Sequence, residues 1–149
     1  MMTSGPVDCE FCAIVRGEDR SAQVVGEEEA WVAFFPLKPA TPGHTLVVPR
    51  EHVADLWGVG WELGANLMHG VVRVGGAIRT ALEPEGTNVI TSSGMVAEQT
   101  VFHLHFHIVP RWKQDGFGRI WPAEKTFTRS DLGDVATLIR RALSTEQGA

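Results

Sequence analysis

Phe102-His103-Leu104-His105-Phe106-His107-Ile108-Val109-Pro110 is the stretch on which the reading of this chain turns. Side chains alternate across a β-strand with a period of two. On a strand over Val101–Pro110, His103, His105 and His107 therefore share one face, while Phe102, Leu104, Phe106 and Ile108 share the other. The apolar face can pack beneath a helix. The histidine face has no obvious folding purpose. A lone histidine on a strand is ordinarily a surface or satisfied core residue, but three in line opposite four large apolar side chains need a chemical reason.

Two chemistries suit them. Same-face neighbours lie about 6.6–7 Å apart along a strand, so adjacent pairs can converge on a metal, whereas the first and third are about twice as far apart. Imidazole is also a nucleophile and proton shuttle near neutral pH, and three in a row offer a nucleophile flanked by groups that orient it and protonate a leaving group.

Working outward, Gln23–Gly26 and Ala30–Phe35 are apolar and β-prone, with Glu27-Glu28-Glu29 as a hairpin connection. Pro36, Pro39, Pro42 and Gly43 make a stiff loop before a strand at Thr45–Pro49. Between Trp61 and Leu82 the period becomes helical, with Leu63, Leu67, Val71, Val74, Ile78 and Leu82 in one stripe. Gly64, Gly70, Gly75 and Gly76 weaken that helix by about 1 kcal/mol each relative to Ala, so packing against a sheet must hold it. A strand is expected at Asn88–Ser92. A last helix is expected near 130–143, with Ser130 as N-cap and Val135, Leu138, Ile139 and Leu143 turned inward. Mostly antiparallel strands plus one long helix predict an α+β fold.

The 149 residues, 44% of them hydrophobic, suffice for one domain with a genuine core, and no linker or repeat divides them. A net charge of -5 with scattered Lys and Arg argues against nucleic acid as a partner. No apolar run is long enough to span a membrane, and Met1–Glu10 lack the features of a signal peptide, so a cytoplasmic protein is expected. Both cysteines fall in Cys9-Glu10-Phe11-Cys12, a spacing that suggests metal binding or redox chemistry more than a structural disulfide.

His103-Leu104-His105-Phe106-His107-Ile108-Val109 resembles the His-φ-His-φ-His-φ-φ signature of the histidine triad (HIT) family, where φ is apolar. The likeness continues in Cys9–Glu18, in Pro39-Ala40-Thr41-Pro42-Gly43-His44-Thr45 and in the Gly94–Thr100 loop, so it covers about 9–112 in the family's order. It implies a single HIT domain over 1–149, with an antiparallel sheet, the long helix packed across one face and the triad on the other. Residues 113–149 would be an extension outside the motifs.

The resemblance also implies roles. His105 would be the nucleophile at the α-phosphorus of a purine nucleoside monophosphate ester, anhydride or phosphoramidate, giving a nucleotidyl-histidine that water hydrolyses. His107 would contact phosphate and assist the leaving group, and His44 would complete the network. Gln99 and Thr100 match a phosphate-contacting pair, aided by backbone N–H groups of the loop from Gly94. Two positions depart from the pattern. Pro36 stands where an Asp or Asn commonly holds the ribose hydroxyls, and Ser92 where an Asn commonly precedes the loop glycine. Cys9, Cys12, His52 and His103 match a structural zinc site of bacterial-type members, in which His103 would fix the strand beside His105 instead of moving protons. No cofactor would be needed for catalysis itself, and a homodimer with sheets joined edge to edge is implied. Arg111 and Trp112 resemble a Pro-Arg-aromatic ending that would line the leaving-group side. His69 reads as an exposed helix residue, and Trp31, Trp57, Trp61 and Trp121 as core or interface. The rival readings are a diadenosine polyphosphate hydrolase or nucleotidyltransferase, a low-turnover nucleotide-binding or zinc-stabilised interaction protein, and a hydrolase using the histidines as direct metal ligands.

Overall fold

Trp31, Val32, Ala33 and Phe34 are all buried, as is every residue of Thr45–Pro49. A strand buries all of its residues only when both sheet faces are covered, which explains why these segments read as continuous apolar runs. In the computed structural model of the chain, which describes Pro6 and residues 8–146, the elements run α1 (Glu10–Val15), β1 (Val24–Glu27), β2 (Trp31–Phe34), β3 (Thr45–Pro49), α2 (Trp61–Leu82), β4 (Gly86–Ile90), β5 (Phe106–Arg111) and α3 (Arg129–Glu146). Residues 1–5 and 7, read above for a leader, and the last three of the expected extension lie outside the described residues. The described chain forms two compact units, 1–117 and 118–149.

The first unit holds a five-stranded sheet in the order β1-β2-β3-β5-β4, antiparallel throughout. Period-two alternation sorts its residues into two cores. Trp31, Ala33, Val47, Phe106 and Ile108 face α2, where Leu67, Val71 and Val74 are buried, with Leu63 and Ile78 packed beside them. Val32, Phe34, Leu46 and Val48 face the other way, onto Phe11 and Val15 of α1. The α+β class, the antiparallel sheet and the long helix over one face are thus as expected. Of the four tryptophans read as core or interface, Trp31 is core, whereas Trp57, Trp61 and Trp121 are exposed. His69 is exposed on α2.

One glycine of α2 has a packing reason. A Cβ on Gly70 would meet the Trp31 indole at 2.8 Å, whereas one on Gly75 or Gly76 would meet nothing within 4 Å. Trp31 is buried under the helix, so its indole is part of the packed core that the added methyl would push against. Gly70→Ala is therefore expected to destabilise by about 1–3 kcal/mol through overpacking. Gly75→Ala should instead stabilise by up to about 1 kcal/mol through helix propensity. Urea unfolding of the two variants checks the opposite signs.

The strand bearing the triad is shorter than expected. It begins at Phe106, not Val101, and β4 ends at Ile90, opposite His107, instead of reaching Ser92. Before Phe106 the chain leaves the ladder, with Leu104 N–H donating to the Val53 carbonyl at 2.6 Å. Leu104 still joins the α2 core, but Phe102, expected on the same face, is about half exposed because the pleat does not extend to it.

In the second unit α3 starts one residue before Ser130. Its cap is Thr128, whose Oγ1 accepts from Asp131 N–H at 3.1 Å while Asp131 Oδ2 accepts from Thr128 N–H at 3.1 Å. This reciprocal pair is a capping box, and it displaces Ser130 from the role expected for it. Val135, Leu138, Ile139 and Leu143, expected inward, are each more than half exposed. Among the described residues of that unit no second element exists to cover them. Among the described residues no helix is long and apolar enough to cross a membrane.

Candidate active site

The sheet register places His107 of β5 between Leu46 of β3 and Ile90 of β4. Gly43, with φ +84, turns the chain just before His44 at the head of β3, and a Cβ there would overlap the Leu82 side chain. His44 is thereby held beside His107, its Nε2 2.9 Å from His107 Nδ1. The tautomers follow from the partners. Ala40 N–H donates to His44 Nδ1 at 3.0 Å, so the proton of neutral His44 sits on Nε2 and is donated to His107 Nδ1. Neutral His107 then carries its own proton on Nε2. His105 is set the opposite way. Its Nδ1 lies 2.7 Å from the His103 carbonyl, and a carbonyl only accepts, so Nδ1 bears the proton and Nε2 keeps its lone pair. The His105 and His107 rings are 4.9 Å apart.

Burial keeps all of these rings neutral. It lowers His105, against the raising effect of the His103 carbonyl. It pushes His107 down to about 4, helped by His105 and His44, and it lowers His44 as well.

His105 and His107 line a cleft of about 600 Å³. Phe11, Ile14, Phe34, Leu46 and Val101 form apolar walls, and Pro36, Thr100, Glu10, Asp19 and Lys38 also border it. Apolar walls around a few convergent polar groups, at this volume, suit a small-molecule ligand.

Behind Phe11 lies a second constellation. Cys9, Cys12, His52 and His103 bring one donor atom each to within 4.8 Å of one another. Both sulfurs are 3.5 Å from His103 Nδ1, and Cys12 Sγ is 3.3 Å from His52 Nδ1. Tetrahedral zinc, with Zn–S about 2.3 Å and Zn–N about 2.0–2.1 Å, sets sulfur and nitrogen about 3.5 Å apart, so the donor set fits. His103 Nε2–H donates to the Pro49 carbonyl at 2.8 Å, which turns the Nδ1 lone pair toward the thiols. Burial and the neighbouring Cys9 push the Cys12 thiol up to about 11, so near neutral pH Cys12 gives up its proton only to a bound cation.

The HIT domain profile matches residues 18–114, including His44, His52 and the whole triad. A Bacillus subtilis strain 168 protein named Protein hit is 37% identical over 139 residues, which are 92% of this chain and 95% of that one. The chain belongs to the histidine triad family. An adenosine 5′-monophosphoramidase of Schizosaccharomyces pombe is 36% identical over 118 residues, or 78% of this chain and 85% of that protein. Among solved structures, a Streptococcus mutans UA159 protein matches with a TM-score of 0.88 at 34% identity, covering 96% of this chain and 90% of its own. A Zn-bound histidine triad family protein from Mycobacterium smegmatis matches with a TM-score of 0.71 at 34% identity, covering 97% and 99%.

In this HIT protein the histidines and cysteines singled out in the sequence come together in two adjoining sites. The residues read as phosphate contacts do not all follow. Thr100 borders the cleft. Gln99 is buried, and its amide donates to the Ala54 and Val101 carbonyls at 2.6 and 3.1 Å while accepting from Gly94 N–H at 2.8 Å. The N–H groups of Ala97, Glu98 and Gln99 bond within the loop as well. Gln99 thus closes the loop on itself, leaving neither its side chain nor the Gly94 N–H for a phosphate. Ser92 is half-buried and stands outside the cleft lining. Arg111 and Trp112 also stand outside it, the guanidinium being bound to Asp115 and Asn88 at 2.6 and 2.7 Å and lying over Phe117. Sequence reading missed Phe11, Ile14, Asp19 and Lys38. Phe11 could have been found as the apolar residue between two candidate ligands, whereas nothing local marks Asp19 or Lys38.

Proposed function

We propose that this HIT protein is a nucleotide hydrolase that releases a purine nucleoside monophosphate from an amine, ester or anhydride leaving group through a nucleotidyl intermediate on His105. The observation that carries the reading is the tautomer pair, a lone pair on His105 Nε2 beside a proton on His107 Nε2, both rings bordering one cleft. His105 Nε2 attacks the α-phosphorus, a P–N bond to the enzyme forms, and the bond to the leaving group breaks. The bound phosphate anion raises the proton affinity of the neighbouring imidazole, so on substrate binding His107 takes up a proton from solvent, hands it to the departing group and returns to neutral. Water then attacks the phosphorus, its proton passes to His107, and His105 is freed. The apolar walls of Phe11, Ile14 and Leu46 suit a purine. The similarity to a monophosphoramidase favours a P–N substrate. The test is acid-free chemical quench of the protein with an adenosine phosphoramidate, followed by mass spectrometry. An adenylyl adduct on the peptide bearing His105 is expected. Nucleotide binding with neither adduct nor turnover would replace the hydrolase by a binding protein, and turnover without an adduct would point to direct metal-assisted hydrolysis.

The pH profile carries a sign. A lowered pKa means that the ring takes up its proton only at lower pH. The neutral His44–His107 relay therefore persists through pH 6.5, where a free imidazole is half charged, and is lost as pH falls toward about 4. The acid limb of kcat/KM, which reports loss of the lone pair on His105 Nε2 in the free enzyme, should lie below 6.5 because burial lowers that imidazole, and a midpoint at or above 6.5 would count against a neutral His105 nucleophile.

Pro36 borders the cleft and offers no side-chain acceptor for ribose hydroxyls. Calorimetry should show AMP and its deoxyribose counterpart binding with similar affinity, and a strong preference for the ribonucleotide would refute this. Cys9, Cys12, His52 and His103 would hold Zn²⁺, which supplies a fixed cross-link between α1 and the triad segment and takes no direct part in the reaction. The resemblance also implies a homodimer. β1 and β4 are the sheet's open edges among the described residues, and light scattering would show twice the 16.3 kDa chain mass.

A further inference from the structure

We propose that Asp19 is a specificity-determining residue that selects guanine over adenine, its carboxylate accepting from the N1–H and N2–H donors of the ring at the far end of the cleft. This rests on the reading of the cleft as a purine nucleotide site and deepens it by naming the base. The first support is position. The reacting phosphorus fixes one end of the ligand at His105 and His107, and Phe11, near the start of α1, meets His105 edge-on at 5.3 Å. From Phe11 the cleft follows the helix. Ile14 is three residues on, so it lies about 4.5 Å further along the axis. Gly17, with φ +73, then turns the chain, and the N–H groups of Glu18 and Asp19 reach back to the Ala13 carbonyl at 2.9 and 3.3 Å. Asp19 lines the cleft there, whereas Glu18 pairs with Arg16 outside it. A carboxylate thus stands past the apolar walls, at the opposite end of α1 from the contact with the triad.

The second support is how that carboxylate is held. Its Oδ1 accepts from Ser21 N–H at 2.9 Å and from Ser21 Oγ–H at 2.6 Å. These bonds fix the side chain and hold it below the usual carboxylate range, so it is ionised near neutral pH. No Lys or Arg pairs with it among the described residues. Oδ2, outside the Ser21 bonds, is a fixed anionic acceptor at a partly buried position. The edges of the bases decide which ligand suits it. Guanine presents N1–H and N2–H side by side. Adenine and cytosine set one amine beside a ring lone pair, which an anionic oxygen repels, and uracil sets one N–H between two carbonyls. Guanine alone offers two adjacent donors, and bonds to an ionised acceptor are the strong ones. The walls of Phe11, Ile14 and Leu46 accept either purine, so the choice between them falls to the polar group.

The test is calorimetry of GMP, IMP and AMP with wild type, Asp19→Asn and Asp19→Ala, each variant checked for folding by circular dichroism. Wild type should bind GMP at least about tenfold more tightly than AMP. IMP, which keeps N1–H and lacks the N2 amine, should fall between them. Asp19→Asn retains an oxygen for Ser21 and sets an amide donor where Oδ2 stood. It should weaken GMP at least about tenfold and leave AMP, whose N1 accepts, bound as tightly as before or more so. Asp19→Ala, which has neither group, should bind GMP and AMP alike. The ratio of kcat/KM for guanosine and adenosine phosphoramidates should follow the same order. Equal affinity of wild type for GMP and AMP overturns the proposal, as does a GMP preference that survives in Asp19→Asn, and in both cases the nucleotide site itself stands. If none of the three nucleotides binds wild type, the nucleotide reading falls and the choice of guanine falls with it.

Discussion

His105→Ala should lower kcat on an adenosine phosphoramidate by at least about 10⁴-fold, because losing a covalent nucleophile removes the step and not merely an aid to it. KM should move little, since Phe11, Ile14 and Leu46 still wall the cleft. Folding needs a control, because the buried ring is replaced by a cavity and the His103 carbonyl loses its donor, at about 1–3 kcal/mol. Circular dichroism of the variant provides it. His107→Asn is the informative partner. An amide can still donate to a phosphate but cannot pass a proton on, so its loss should be large for a poor amine leaving group and small for one that departs unprotonated. Steady-state kinetics across leaving groups separates the two variants. His105→Ala retaining activity within about tenfold of wild type would remove the nucleotidyl mechanism altogether.

How much of this was legible in the sequence depends on whether the cause was local. Trp61–Leu82 and Thr45–Pro49 have their expected bounds, since a helical stripe over a buried sheet and a loop of three prolines leading to a strand are signals carried by neighbours in the chain. The histidine pattern was legible too, but its meaning as a strand was only partly so. His107 lies on the strand, whereas His103 and His105 precede it, in a segment bent by a contact with Val53 that no local pattern announces. That departure lets His103 face the thiols. The Gln99 amide illustrates the opposite failure, where a polar residue in the right loop turns inward to satisfy carbonyls at Ala54 and Val101. A buried amide takes whichever partners saturate it, and those partners lie across the fold. The apolar face of α3 was correct as a period and wrong as a burial, because periodicity says that one face wants a cover without saying that the unit contains one.

With zinc in the proposed four-donor site, removing the ion, or Cys12, should have the largest effect on stability. Cys12 is 2% exposed and His103 fully buried, so the four donors tie α1 to the segment before β5 where the ladder gives no support. An ion that binds the folded chain alone stabilises it by about 3 kcal/mol at a hundredfold excess over its Kd. For a chain of this size each kcal/mol moves the melting temperature by about 2–4 °C, so chelation should lower it by about 10 °C and zinc should restore it. Cys12→Ala leaves three donors, and it should melt near the chelated wild type and respond weakly to either treatment. Were the four residues merely a hydrogen-bonded cluster, Cys12→Ala would still cost something, but the wild type would ignore the chelator. Elemental analysis of the purified protein alongside calorimetric melts distinguishes the cases, and a chelator-insensitive melt with no zinc in the protein would withdraw the ion.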